Sequence, residues 1–310
     1  MRQAQTGVAL IIALLVVALA TVLIAGLLDR GELAAARTRN LLRTEQADAY
    51  ARGLELYAAR VLEKDLEQNS VDSGGDLWAM PLPPTDVPGG RIAAQMRDMN
   101  GCFNLNNLLS GDGNESEWRE RFRRLLTALR LDPTLTETVI DWLDADGEPG
   151  GGGQGSGAED SVYGSVQPPY RAANRAFVHA SELRLLQGFG GNVYATLAPH
   201  VCALPRGSLL NLNTASIPVL QSLNTRITEE VARRLWRDGK ADWDGVSGFR
   251  QELLGLAIPF DASQERGLST TSRYFLARGD IELDGLLFHP TSLLDRERGV
   301  RVLQRSRGSD

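Results

Sequence analysis

The stretch TGVALIIALLVVALATVLIAGLLDR, residues 6–30, decides how the rest of the chain is read. Residues 8–28 carry no charge, and a helix of that length rises about 31 Å at 1.5 Å per residue, enough to cross the hydrocarbon core of a bilayer. A cleavable secretory signal has a shorter apolar region, about 7–15 residues, followed by a small-x-small cleavage site. No such clean stop precedes Asp29, so the segment reads as a retained anchor. Arg2 lies before it and Arg30, Arg37, Arg39 and Arg43 after it; charge bias alone therefore sets no orientation.

Working outward, residues 29–66 contain no proline and are rich in Ala, Leu, Arg and Glu, all good helix formers. The spacing predicts one continuous helix from Val8 to about Leu66, roughly 90 Å long. Leu54, Tyr57, Ala58, Val61 and Leu62 recur at helical intervals and form a stripe for a globular body to pack on. That body has ordinary globular composition: of 310 residues, 43% are hydrophobic and 23% charged. The net charge of −6 speaks against binding to nucleic acid, which calls for a basic patch. Cys102 and Cys202 are too few for a disulfide scaffold and lack metal-ligand spacing. They pair with each other or stay as two buried thiols.

The middle of the chain reads as helical. Trp118, Phe122, Leu125, Leu126 and Leu129 make an apolar stripe, with Arg119, Arg121, Arg123 and Arg124 as its solvated face. A second helix is expected from Thr134 to Leu143 behind Pro133, and a third in SELRLLQGF, capped by Ser181 and ended by Gly188. Between them Asp141, Asp144, Asp146 and Glu148 crowd together, and the loop GGGGQGSG (150–157) brings back Glu159 and Asp160. Six carboxylates in one loop repel unless a cation neutralises them. Their hard oxygens and the flexible loop suit Ca²⁺, which takes six to eight ligands, better than the strictly octahedral Mg²⁺. The spacing departs from an EF-hand: with Asp144 as the first position, glycine falls fourth and no glutamate stands twelfth. The other reading is a solvated acidic loop.

Strand signals close the chain at 272–284, 285–297 and 299–307, separated by Asp-Gly or Arg-Gly turns, with another at 91–99. His289, before Pro290, reads as a surface or edge residue. His179, His200 and His289 show no HExxH arrangement, and GxSxG, Walker and dinucleotide patterns are absent from the sequence. No enzyme is expected.

The leader ending in Thr6-Gly7, followed directly by an apolar helix that turns amphipathic, resembles type IV pilins and type II secretion pseudopilins. The resemblance implies cleavage by prepilin peptidase between Gly7 and Val8 and methylation of the new terminus at Val8. Most such subunits carry glutamate at the fifth mature position, where it neutralises a neighbour's terminal amine in an apolar core; here that position is Ile12. A subunit with nothing above it needs no such glutamate. With GCFNLNNLL (101–109), VIDWLDADGEP (139–149), GAEDSVY (157–163), YRAANRAFVHASELRLLQGF (170–189) and LNLNTASIPVL (210–220) in order, the chain is similar to the minor pseudopilin K family (general secretion pathway protein K).

That resemblance implies an α+β, type IV pilin-like fold, a long helix packed on an antiparallel sheet, with a large α-helical insertion of SAM-like, helix-hairpin-helix-like units. The divisions expected are a leader (1–7), a transmembrane part (8–28), periplasmic helix and first strands (29–102), a first inserted helical domain with the acidic loop (103–205), a second helical subdomain (206–268) and C-terminal strands (269–310). It further implies one or two structural Ca²⁺ ions in the acidic loop, minor pseudopilins I, J and H as partners, contact with secreted substrates, an anchor in the bacterial inner membrane and a head in the periplasm. A type IV pilus minor pilin is the alternative. No family role carries over to Cys102 or Cys202. The stretch 210–240 also resembles a DNA-binding helix-hairpin-helix, but its hairpin, LNTRI (223–227), has no glycine to hold a phosphate. Thr214 or Ser216, and Thr228, serve there as helix caps.

Overall fold

The computed structural model describes residues 6–150 and 157–308. Most of the leader (1–5) and the middle of the glycine-rich loop (151–156) lie outside the described residues. Helix α1 (Thr6–Gln68) spans 63 residues without a break, about 95 Å. Its first part is uncovered among the described residues: every large apolar side chain in residues 8–28 is between 56% and 69% exposed. By length and composition α1 can cross a membrane.

Its second half is a packing helix. Ala47, Leu54, Ala58, Val61 and Leu62 are buried, and they face Ile281, Leu283, Phe275, Leu294 and Trp78 in two adjoining apolar clusters. Tyr57, expected on this stripe, stands at its margin and is 46% exposed. After α1 come β1 (Leu82–Val87) and β2 (Gly90–Asp98), an antiparallel hairpin. β1 was not evident in the sequence because Pro83 and Pro84 remove ladder donors; an edge strand tolerates that loss, and β1 ends the sheet.

The chain then leaves the sheet twice. The first excursion runs β3 (Phe103–Asn104), α2 (Glu115–Ala128), α3 (Leu135–Leu143), α4 (Asp160–Tyr163), α5 (Gly191–Leu197) and β4 (Val201–Cys202), and β3 and β4 pair in parallel. The second runs β5 (Leu210–Asn211), α6 (Ile217–Ser222), α7 (Glu229–Trp236), α8 (Val246–Gly255), α9 (Ala262–Glu265) and β6 (Leu268–Ser269), closed by the same kind of parallel bridge. FNLN (103–106), which opens the first unit, and LNLN (210–213), which opens the second, echo each other in the sequence, and the likeness has a structural meaning. Asn106 accepts the N–H of Phe177 at 2.8 Å and donates to its carbonyl at 3.0 Å. Asn213 grips Trp243 in the same way, at 2.8 and 3.2 Å. Each unit uses a buried amide, whose two donors and one acceptor match a peptide group, to hold its returning loop. The two units share one apolar core, from Phe103 and Trp118 through Leu220 to Phe249.

β7 (Tyr274–Leu283) returns to the sheet and pairs with β2 along its length, from Gly90↔Leu283 to Asp98↔Phe275. A β carbon on Gly90 would sit 1.8 Å from the carbonyl oxygen of Glu282, so only glycine lets the strands approach there. The Asp284-Gly285 turn, both residues at positive φ, is the mirror-image turn that suits a hairpin and leads to β8 (Leu286–Phe288). β9 (Thr291–Asp295) and β10 (Arg301–Ser306) complete an antiparallel sheet of order β1-β2-β7-β9-β10, with β8 beside β7.

Local expectations differ from the structure in four further places. Residues 285–297 form two strands, interrupted at His289-Pro290. The expected third helix is a 3₁₀ turn, Ala180–Leu185, capped by His179, whose ring nitrogen accepts the Ser181 N–H; short connecting segments commonly take this tighter form. Thr214 caps no helix: its hydroxyl donates to Asp98, whereas Thr228 does cap α7. Arg121, expected in solvent, is fully buried. Its Nη2 donates to the carbonyls of Gln264 and Arg266 at 2.7 and 3.1 Å and its guanidinium lies over Trp118, joining the two helical units.

Candidate metal centre

The six carboxylates picked out in the sequence divide into three groups. Asp141, in the last turn of α3, is fully buried; its Oδ1 accepts the Gly150 N–H at 3.0 Å and its Oδ2 the Ala158 N–H at 2.7 Å. It ties the two ends of the glycine-rich loop to the helix. A β carbon on Gly157 would meet Asp141 Oδ2 at 2.1 Å, so glycine is needed at that approach. Asp160 turns away, accepting the Ala172 N–H at 2.9 Å, and Glu148 is exposed.

Asp144, Asp146 and Glu159 converge, with one carboxylate oxygen of each within 4.8 Å of the others. Glu159 is 3% exposed, and among the described residues neither of its oxygens has a hydrogen-bond partner; Asp144 Oδ1 is likewise buried without one. Burial, then the neighbouring negative charges, pushes Asp144 up to about 6 and Glu159 up to about 7. Burial also raises Asp141, against its two backbone hydrogen bonds. An acceptor pair shut away from water, with no donor and several negative neighbours, is an unstable arrangement by itself. A hard cation supplies both the missing partner and the missing charge. The residues fit such an ion: three carboxylates with free oxygens, held by a buried fourth.

Cys102 and Cys202 form a disulfide across 100 residues. It lies beside the β3–β4 bridge, so the entire first helical unit leaves and re-enters the body at one covalent point. Asp98, at the end of β2, is a polar hub that the sequence did not single out. Buried, it accepts from Ser272 Oγ at 2.6 Å, Asn211 Nδ2 at 3.1 Å and the Asn100 N–H at 2.7 Å, and also from Thr214. The segment 223–227 is taken up internally: Asn224 accepts the Arg226 N–H and donates to the Pro259 carbonyl.

A helix long and apolar enough to cross a membrane continues into an antiparallel sheet that carries two helical insertions, the architecture of a helix-and-sheet subunit with one candidate membrane span. A family model described as "Type II secretion system (T2SS), protein K" matches residues 101–206. The type II secretion system protein K of Pseudomonas aeruginosa is 36% identical, over 99% of this chain and 94% of that protein. That of Pectobacterium carotovorum subsp. carotovorum is 32% identical, over 99% of this chain and 98% of the relative. Among solved structures, the GspK-GspI-GspJ complex from the enterotoxigenic Escherichia coli type 2 secretion system matches with a TM-score of 0.77 at 27% identity, over 88% of this chain and 100% of the matched chain. The chain belongs to the type II secretion system protein K family.

Proposed function

We propose that this chain is a minor pseudopilin that works by assembly: anchored in the bacterial inner membrane by residues 8–28, head in the periplasm, joined to minor pseudopilins I and J at the tip of a pseudopilus that helps move folded proteins across the outer membrane. The observation that carries this reading is α1. One half is an uncovered apolar rod and the other half is the spine of the head, so whatever holds the rod, lipid or sister helices, also positions the head. In lipid, close packing rather than hydrophobic transfer drives helix association. The structural likeness to a complex of K, I and J subunits supports the choice of partners. Ile12 at the fifth position after Gly7 suits a subunit at the end of an assembly, with prepilin peptidase cutting between Gly7 and Val8. The inserted units, the second stapled by its own contacts where a helix-hairpin-helix would hold phosphate, serve as a structural cap, with no reaction and no nucleic acid assigned to them.

The triad Asp144, Asp146 and Glu159, organised by Asp141, holds structural Ca²⁺; the orphaned oxygens of Glu159 support this. Deleting the gene should abolish exoprotein release while leaving twitching motility intact; the reverse pattern would assign the chain to a type IV pilus. Co-purification of the membrane-extracted chain with subunits I and J, and an intact mass lacking residues 1–7, test the assembly and processing directly.

A further inference from the structure

A second group of carboxylates, separate from the acidic loop, closes the far end of α1. The turn after Gln68 brings Asp72 and Asp76 back against Asp65, and one oxygen of each lies within 4.8 Å of the others. Asp65 and Asp72 are each 1% exposed. Arg296, following β9, reaches in: Nη1 donates to Asp65 Oδ2 at 3.3 Å, Nη2 to Asp72 Oδ2, and Nε to the Ser272 carbonyl at 2.9 Å.

Atom by atom, the hydrogen bonds leave one oxygen over. Asp65 Oδ1 accepts the Asn69 amide at 3.0 Å; Asp76 Oδ1 accepts the Asn69 amide and the Ser73 hydroxyl, and Asp76 Oδ2 the Ser73 N–H at 2.7 Å. Asp72 Oδ2 takes the Ser272 N–H as well as Arg296. Asp72 Oδ1 is buried and has no donor among the described residues. Three ionised carboxylates against one guanidinium leave a charge of −2 in a nearly dry place, and burial, despite Arg296, raises Asp72 to about 6. A cleft of about 290 Å³, lined by Asn69, Asp72, Ser272, Arg296 and Glu297 among others, opens beside the group.

We propose that Asp65, Asp72 and Asp76 hold a Ca²⁺ ion of their own, which clamps the end of α1 to the sheet through Arg296. The residual charge matches a divalent cation. Oxygens bound to one Ca²⁺ at about 2.3–2.6 Å lie no more than about 5 Å apart, a limit the three carboxylates meet. Water from the cleft fills the remaining positions, as Ca²⁺ sites allow. The ion adds to Arg296 rather than replacing it, because the guanidinium leaves Asp72 Oδ1 without a partner. This site is independent of the acidic loop.

The test uses the full chain in detergent micelles with the loop ligands removed by Asp144→Ala and Asp146→Ala, bound calcium being counted by equilibrium dialysis and elemental analysis. One equivalent should remain, and Asp76→Asn, which keeps the turn's shape, or Asp72→Asn should weaken it at least tenfold. A folded loop variant without bound calcium overturns the proposal, as does remaining calcium indifferent to both substitutions. Should those variants fail to fold, Tb³⁺ added to the loop variant should luminesce through Trp78, two residues from Asp76; luminescence that is absent, or unchanged by Trp78→Phe, also overturns it.

Discussion

In the metal-free protein, Glu159→Gln is expected to stabilise the fold, and in calcium to destabilise it. The Glu159 carboxylate is 3% exposed, has no donor among the described residues, and has an Asp144 oxygen within 4.8 Å. At an effective dielectric of about 20, two unit charges no farther apart than that repel by at least about 3.5 kcal/mol. The rise of Glu159 from 4.5 to about 7 corresponds to about 3 kcal/mol at 1.4 kcal/mol per pH unit. Glutamine removes the charge but still lacks a partner, so a net gain of about 2 kcal/mol in chelator is expected. With calcium at a hundred times its dissociation constant, binding adds about 2.7 kcal/mol, and the variant forfeits most of that. The pH dependence has a definite sign: a carboxyl raised in the folded state favours folding below its unfolded value. The metal-free protein therefore gains stability as pH falls from about 7 toward 4.5, and the glutamine variant lacks this gain. Urea unfolding followed by tryptophan fluorescence, on the full chain in detergent micelles with EGTA or with calcium, reads both effects. The same sign in both conditions, or unfolding indifferent to EGTA, would refute the reasoning.

Three more expectations follow from the packing. Replacing Cys102 and Cys202 with serine frees a loop of 100 residues and should lower stability by about 3–5 kcal/mol, read as a lower urea midpoint that dithiothreitol no longer shifts. Asp295, its side chain fully buried, is held well below the usual carboxylate range by the Arg273 hydrogen bonds first and by Arg301. Its contribution is present above about pH 4 and lost as pH falls through its folded value, so Asp295→Asn should flatten the acid limb of the stability curve and cost about 2 kcal/mol at pH 7, less than a wholly buried pair because both arginines are partly exposed. Leu62, fully buried between α1 and the sheet, should cost about 3 kcal/mol on replacement by alanine and raise hydrogen exchange in β7 and β9 before the helical units.

Much of this molecule is written in one-dimensional pattern. The uncharged run at residues 8–28, the helix beyond it, β2, β7 and β10, and the clustering of carboxylates at the glycine-rich loop were all legible, because helices and strands answer to local periodicity and the acidic residues lie close together along the chain. The echo of FNLN in LNLN was visible as well. Its meaning was not, since Asn106 and Asn213 act on peptides 71 and 30 residues away. β1 hid behind its prolines, and the third helix of the first unit was mistaken because a 3₁₀ turn and an α-helix share their starting signals.

The rod, its hydrophobic part and the residue types that gather at the loop are fixed by the order of residues alone; charge, apolar run length and turn chemistry are properties of neighbours along the chain. Folding in three dimensions fixes the rest: that Asp141 is a tether, that Glu159 is buried with no donor among the described residues, that Arg121 is buried between the two helical units, and that Cys102 meets Cys202. Each of those depends on the distance and dryness that folding imposes between segments far apart in sequence, and a hydrogen bond or an unpartnered charge has meaning only at that distance.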